Sequence, residues 1–319
     1  MNASAGFSVR KPALLALKIA VTVLAGWLIV RKIDFAALWP LLRGASLGWL
    51  LLAIVVQYGV VTLNAMRWRV LIAAPGVPLR KYLYYAFVGA FLSLVLPSAA
   101  LAEGARTYAF GRRYGGVQRN FAAALFARAT GFAIQIVIVV GAIAFSHGSI
   151  LAPLRGRDLH LDARPLWAAA IGVALAAIAA VVFFRARARE FAGMFFEYAL
   201  HGKARLGRVL VLSALIQGSM VLTSWALFRA VGVHPLFWHV AVIPITIQII
   251  LLLPVSFGGV GVREYLSLLF FTGLAGIPAE ITLAASLLAY VYWVALAATG
   301  GAWMLYRKSL PPEEEGEAA

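Results

Sequence analysis

Two short stretches of this chain carry charged residues directly after long apolar runs. One holds Glu103 and Arg106, the other Arg263 and Glu264. An arginine presents a planar fork of donors that fits a phosphate, and a neighbouring carboxylate can balance its charge or carry a coupling proton. Ionisable groups at membrane depth cost at least about 2.5–3.5 kcal/mol on insertion scales, which makes them functional candidates by default. Aligned, the stretches share one pattern, L-P-x6-G-x-R-x-Y. It runs through Leu96, Pro97, Gly104, Arg106 and Tyr108, and again through Leu253, Pro254, Gly261, Arg263 and Tyr265. A shared leucine means little in such a chain, but Pro, Gly, Arg and Tyr in register mark an internal repeat. Pro97 and Pro254 are the expected hinges, because proline ends a helix. Gly104 and Gly261, with Gly258 and Gly259, would let the backbone turn and approach a ligand closely. For the Gly258-Gly259 pair alone, helix packing is the simpler reading. Arg128 stands within a further apolar run, where it either snorkels to the interface or joins a headgroup site. If the two stretches face each other, Arg106 pairs with Glu264 and Arg263 with Glu103. The alternative is purely structural ion pairing at the interface.

The elements around these residues read as membrane spans. Of 319 residues 63% are hydrophobic and 13% charged, well away from an ordinary globular composition. Apolar runs cover residues 13–30, 47–65, 82–96, 121–145, 166–184, 209–231, 238–253 and 281–306, about eight membrane-embedded segments. Those at 82–96 and 238–253 are short and end at Pro97 and Pro254, and a short apolar piece, 265–274, follows the second. Arg67-Trp68-Arg69 closes the second segment as an interfacial group. Trp49, Trp167 and Trp303 look like further belt residues. Gln57, Asn64, Gln135, Gln217 and Gln248 are lone polar residues in apolar helices, suited to interhelical hydrogen bonds. The first run is too long for a signal h-region and reads as an uncleaved span. Residues 1–310 form one expected transmembrane domain, and 311–319 an acidic, disordered tail.

Charge sets the expected topology. Basic clusters follow the second, third and fifth segments and both termini carry cations. If segments three and seven crossed fully, two of the clusters would lie outside, against the positive-inside rule. If each instead turns at its proline and returns, every basic cluster and both termini lie in the cytoplasm. That gives six full spans and two re-entrant hairpins entering from opposite faces, an inverted repeat of an all-α polytopic protein. In transporters, interrupted segments at matching positions of two halves mark the substrate site. The net charge of +16 then faces headgroups and cytoplasm rather than nucleic acid. With no cysteine and no histidine at ligand spacing, neither metal nor cofactor is expected. There is no P-loop, H-E-x-x-H or Rossmann glycine pattern. Transport without an ATP site would use an ion gradient or run downhill.

Arg67-Trp68-Arg69, the stretch 94–108, Arg128 and the stretch 252–265 together resemble the lysylphosphatidylglycerol synthase transmembrane-region family, the flippase-like membrane proteins. Two departures stand out: Ser98, Ala99 and Ala100 occupy positions where that family often has glycine, and Ala129, Thr130 and Gly131 follow Arg128 where an acidic residue is common. The resemblance implies an integral membrane protein of the bacterial inner membrane that moves a phospholipid, hopanoid or polyprenyl-linked lipid between leaflets. Its partners would be membrane lipids with an anionic or lipid-linked headgroup, and a homo-oligomer is compatible with it. The binding set would be Arg106, Arg263, Glu103, Glu264, Gly104, Gly261, Tyr108, Tyr265 and Arg128. The chain ends shortly after the last segment, so it is not expected to make lysylphosphatidylglycerol itself. The alternatives are a membrane-embedded enzyme using Glu103 or Glu264 as general base, and an accessory subunit of an envelope-lipid pathway.

Overall fold

Every element in the computed structural model is helical among the residues it describes, 27–31, 33–96, 99–146, 203–251 and 261–309. The first expected span except its end, residues 147–202 with the fifth segment and most of the basic connector, Pro97, residues 252–260 with Pro254, and the acidic tail lie outside them.

Asp34 caps a short helix that the apolar pattern does not announce, α1 (Phe35–Arg43): its carboxylate accepts from the Ala36 N–H at 2.8 Å. Then come α2 (Leu47–Ile72), α3 (Leu79–Val95), α4 (Ala99–Arg113) and α5 (Val117–Phe145). The second group is α6 (Lys203–Ala230), α7 (Phe237–Ile250), α8 (Val262–Ser267) and α9 (Ala279–Ser309). A π-turn, Leu268–Thr272, prolongs α8. Helices α2, α5, α6 and α9 are long and apolar enough to cross a membrane. The chain is thus a multi-pass helical membrane protein. Helix α2 does not stop at residue 65: it carries Arg67, Trp68 and Arg69 within it. Trp68 is buried against Tyr82 and Phe110, so it is a core residue and not an interfacial one. Ring contacts with neighbouring helices outcompete exposure at the interface. The string Gly44-Ala45-Ser46-Leu47-Gly48 has the spacing of a hydrolase nucleophile motif. It lies in a helix–helix turn and not after a strand, so it lacks the strand–turn–helix setting of that motif.

Helices α2 and α6 form the centre. The Ser46 N–H meets the Ala230 oxygen at 2.8 Å, Gln57 Nε2 donates to Thr223 Oγ1 at 3.0 Å, and Arg67 Nη1 donates to Ser213 Oγ at 3.0 Å. Partner numbers fall as α2 numbers rise, so the two helices are antiparallel. After each comes a broken pair. Helices α3 and α4 fold back on one another: Tyr85 meets Phe110 at a ring distance of 5.2 Å, and Tyr82 meets it at 4.7 Å. The pair ends where it began, since a Cβ on Gly115 would lie 3.2 Å from Ile72 and 3.8 Å from Ala74. Helices α7 and α8 also pack together, and Phe271 beyond α8 returns to Phe228 before α7, at 4.6 Å between rings. Helix α3 then packs along α9 and α7 along α5. The α3–α9 crossing is close: a Cβ on Gly300 would sit 2.0 Å from the Phe87 carbonyl oxygen.

Basic residues gather at one end of this bundle. Arg69, Arg80, Arg112, Arg113, Lys203, Arg205 and Arg208 lie there with Arg307, which stacks on Tyr84 near the start of α3 at 5.0 Å. Arg43 and Arg229 lie at the other end, by the start of α2.

Candidate functional site

Two polar regions lie within the helices, one nearer the basic end and one at mid-depth. The first centres on Glu103 of α4. Arg128 of α5 grips it with Nη2 and with Nε, the latter at 3.1 Å, and Arg106 lies 3.7 Å away, one turn along α4. Spacing explains the second contact, because i,i+3 side chains share a helix face. The three side chains are between a quarter and two-fifths exposed. Arg106 is wedged between α2 and α3. Its guanidinium covers Trp68 at 5.4 Å, and a Cβ on Gly89 would fall 2.4 Å from its Cδ. A Cβ at 89 would push Arg106 out of this position. Arg67 sits nearby, fixed by Ser213 and by Asn64 at 2.8 Å, with its Nη1 3.8 Å from where a Gly131 Cβ would be. Two guanidinium groups hold one carboxylate and a third lies nearby, a net positive cluster suited to an anion.

From Arg67 a row of polar groups runs into the bundle. Ser213 meets Thr130 at 3.4 Å, and Gln135 donates to Gln217 at 3.3 Å and to Gln248 at 2.9 Å. Helices α5, α6 and α7 meet here. Gln57 joins α2 to α6 through Thr223. The interhelical bonds expected of these glutamines are therefore formed, while Asn64 serves Arg67 on its own helix.

The row opens into a cavity of about 430 Å³ among α2, α3, α6, α7, α8 and α9. Its walls are mainly apolar, with Arg263, three glutamines (Gln57, Gln217 and Gln248) and several hydroxyl side chains as polar groups. Arg263 lies over the Trp293 ring at 4.3 Å and has no carboxylate within ion-pair distance among the described residues. Trp293 is the middle of α9, about 20 Å from each end at 1.5 Å per residue. Arg263 is therefore a cation at mid-depth.

Neither expected cross-pair is made. Glu264 turns away from both arginines: Oε2 accepts from the Gly261 N–H at 2.7 Å and Oε1 from the Tyr290 hydroxyl at 2.8 Å. Local partners win because they need no further chain ordering, and the free N–H at the start of α8 lies three residues back. Gly261 holds φ at +79°, a left-handed conformation that explains the glycine there. Gly104 is different: a Cβ there would meet open space inside α4, so packing does not require it. Tyr108 is half exposed away from the cluster, and Tyr265 packs on the core. Pro97, Pro254, Gly258 and Gly259 fall outside the described residues. The structure thus joins Glu103, Arg106 and Arg128, and separates them from Arg263 and Glu264. Sequence reasoning left Arg67 out of the binding set although it lies in the cluster. Its signal was a cation within one turn of Asn64 near the end of an apolar run. Among the described residues no group of three His, Asp or Glu side chains converges as a metal site.

A family model described as "Lysylphosphatidylglycerol synthase TM region" matches residues 15–299. The chain belongs to that family. Comparison with curated proteins and with solved structures gives no match. Membership makes the chain a membrane protein of lipid metabolism or transport. In this member the carboxylate facing Arg128 comes from α4, which answers the missing acidic residue after Arg128 on α5.

Proposed function

We propose that the protein moves a lipid headgroup between leaflets of the bacterial inner membrane, along the polar row that joins the Glu103 cluster to the mid-depth cavity. The observation that carries this is the continuity of the row: Arg67, Ser213, Gln217, Gln135 and Gln248 connect a cationic cluster near the basic end with Arg263 in the cavity. Polar groups at membrane depth face a bundle interior or a watery path. Acyl chains would stay in lipid while the headgroup passes through.

The bundle is an inverted repeat in this reading, with α3–α4 and α7–α8 as re-entrant hairpins. Three observations support it. The helices preceding the hairpins, α2 and α6, are antiparallel; each pair returns to the level where it began; and the packing of α3 on α9 is matched by that of α7 on α5. The positive-inside rule assigns the basic end, with the chain's C-terminus, to the cytoplasm. The N-terminus follows to the same side.

An enzymatic role for Glu103 or Glu264 fits less well. Each carboxylate is already engaged by internal donors, Glu103 by Arg128 and Arg106 and Glu264 by Gly261 and Tyr290. Reconstitution with a fluorescent phospholipid and a leaflet-selective quencher tests the proposal. Quenching beyond the outer-leaflet half is expected, and its loss in Arg67→Gln and Arg128→Gln. Wild-type vesicles that behave as protein-free ones would refute the assignment.

A further inference from the structure

The cavity's chemistry is asymmetric in a way the family's name does not suggest. Its one charged group is the Arg263 guanidinium, backed by Trp293, and no carboxylate lines it among the described residues. Glu264, next in the chain, is buried at 4% exposure with both oxygens engaged by Gly261 and Tyr290. The remaining polar groups are neutral amides and hydroxyls. Beside the cavity Oε1 of Gln135, whose amide nitrogen holds the wall residues Gln217 and Gln248, is buried with no hydrogen-bond partner among the described residues. Buried hydroxyls and amides without partners are rare in folded proteins and mark places where a ligand or water completes the bonding.

Resting on the transport reading above, we infer that the occupant is a lipid with one phosphodiester and a neutral, hydroxyl-bearing headgroup, and not an aminoacylated lipid. The phosphodiester meets Arg263, which supplies a charge-assisted contact at a depth where water cannot compete. The hydroxyls meet the Gln217 and Gln248 amides in the wall, which donate and accept. A lysyl headgroup would bring two ammonium groups into a space with a fixed cation and no carboxylate among the described residues, which leaves both ammonium charges without a partner there. The volume suits a small headgroup, and the apolar walls suit the start of the acyl chains.

The test uses the purified full chain in detergent, unfolded by heat with tryptophan emission as readout. Four probes are added singly: dioctanoyl phosphatidylglycerol, its lysyl ester, dioctanoyl phosphatidylethanolamine and the deacylated glycerophosphoglycerol. Phosphatidylglycerol is expected to raise the midpoint, the lysyl ester and the ethanolamine lipid to do so at ten-fold higher concentration or not at all, and the deacylated compound to have no effect. Arg263→Gln should abolish the shift. Gln248→Met, which removes a wall amide at nearly constant volume, should weaken apparent affinity about ten-fold. An equal or larger shift from the lysyl ester overturns the inference, as does no shift from any probe. An equal shift from glycerophosphoglycerol overturns a lipid occupant. Phosphatidylglycerol binding without movement in the vesicle assay would refute the transport reading while leaving this one standing.

Discussion

Replacing Glu103 by Gln removes the one carboxylate shared by Arg106 and Arg128. Arg128 contributes two N–H groups to it and Arg106 lies at 3.7 Å, with side chains 26%, 41% and 25% exposed in the order Glu103, Arg128, Arg106. Breaking a fully buried pair costs about 3–5 kcal/mol, and an exposed pair contributes about 0–1. The intermediate exposure here sets the expected loss near 2 kcal/mol, because a glutamine oxygen still accepts one bond while the charges of three arginines go unneutralised. At about 2–4 °C per kcal/mol this lowers the unfolding midpoint by about 4–8 °C. The nine tryptophans provide the signal for thermal unfolding in micelles. A double-mutant cycle isolates the contact: Glu103→Gln, Arg128→Gln and the pair together should show a coupling of about 1 kcal/mol. If the two losses add within about 0.3–0.5 kcal/mol, the two side chains do not interact and the cluster is wrongly drawn.

Other outcomes follow from the same geometry. Gly300→Ala drives a Cβ to within 2.0 Å of the Phe87 carbonyl oxygen and should cost about 1–3 kcal/mol, whereas Gly104→Ala meets open space and should stabilise by up to about 1 kcal/mol in the same melt. In this cysteine-free chain, single cysteines at Gly76 and Gly115 should react with an impermeant maleimide from one side of the membrane, and cysteines at Gly232 and Gly276 from the other; any other division defeats the re-entrant reading. Gln135→Leu removes the bonds to Gln217 and Gln248 and should slow lipid movement at least ten-fold while lowering the midpoint by less than Glu103→Gln does. A normal rate in that variant would show that the polar row is not the path.

Much of the bundle was legible in the sequence. Apolar length alone fixed α2, α5, α6 and α9, because a helix must satisfy its own backbone in lipid. The Leu96-Pro97 element marked the break between α3, which ends at Val95, and α4, which starts at Ala99, whereas Pro40 and Pro244 lie within α1 and α7. The glutamines were recognisable as interhelical donors, having no other partner at that depth. What the chain order could not convey is which charges meet. Arg106 was paired by symmetry with Glu264, but the near-neighbour Glu103 and the distant Arg128 take that place, and Glu264 serves its own helix start. Side-chain partners depend on helix rotation and crossing distance, and here those depend on Gly89 and Gly300, whose missing Cβ atoms let α2, α3, α4 and α9 close up. The sequence by itself determined that the protein is helical and spans a membrane more than once. Only tertiary packing decided that Arg263 would line a cavity with no carboxylate partner among the described residues while Arg106 and Arg128 closed on Glu103, with Arg67 nearby. Lipid immersion acts on every residue independently, but pairing acts on positions that only the folded helices bring together.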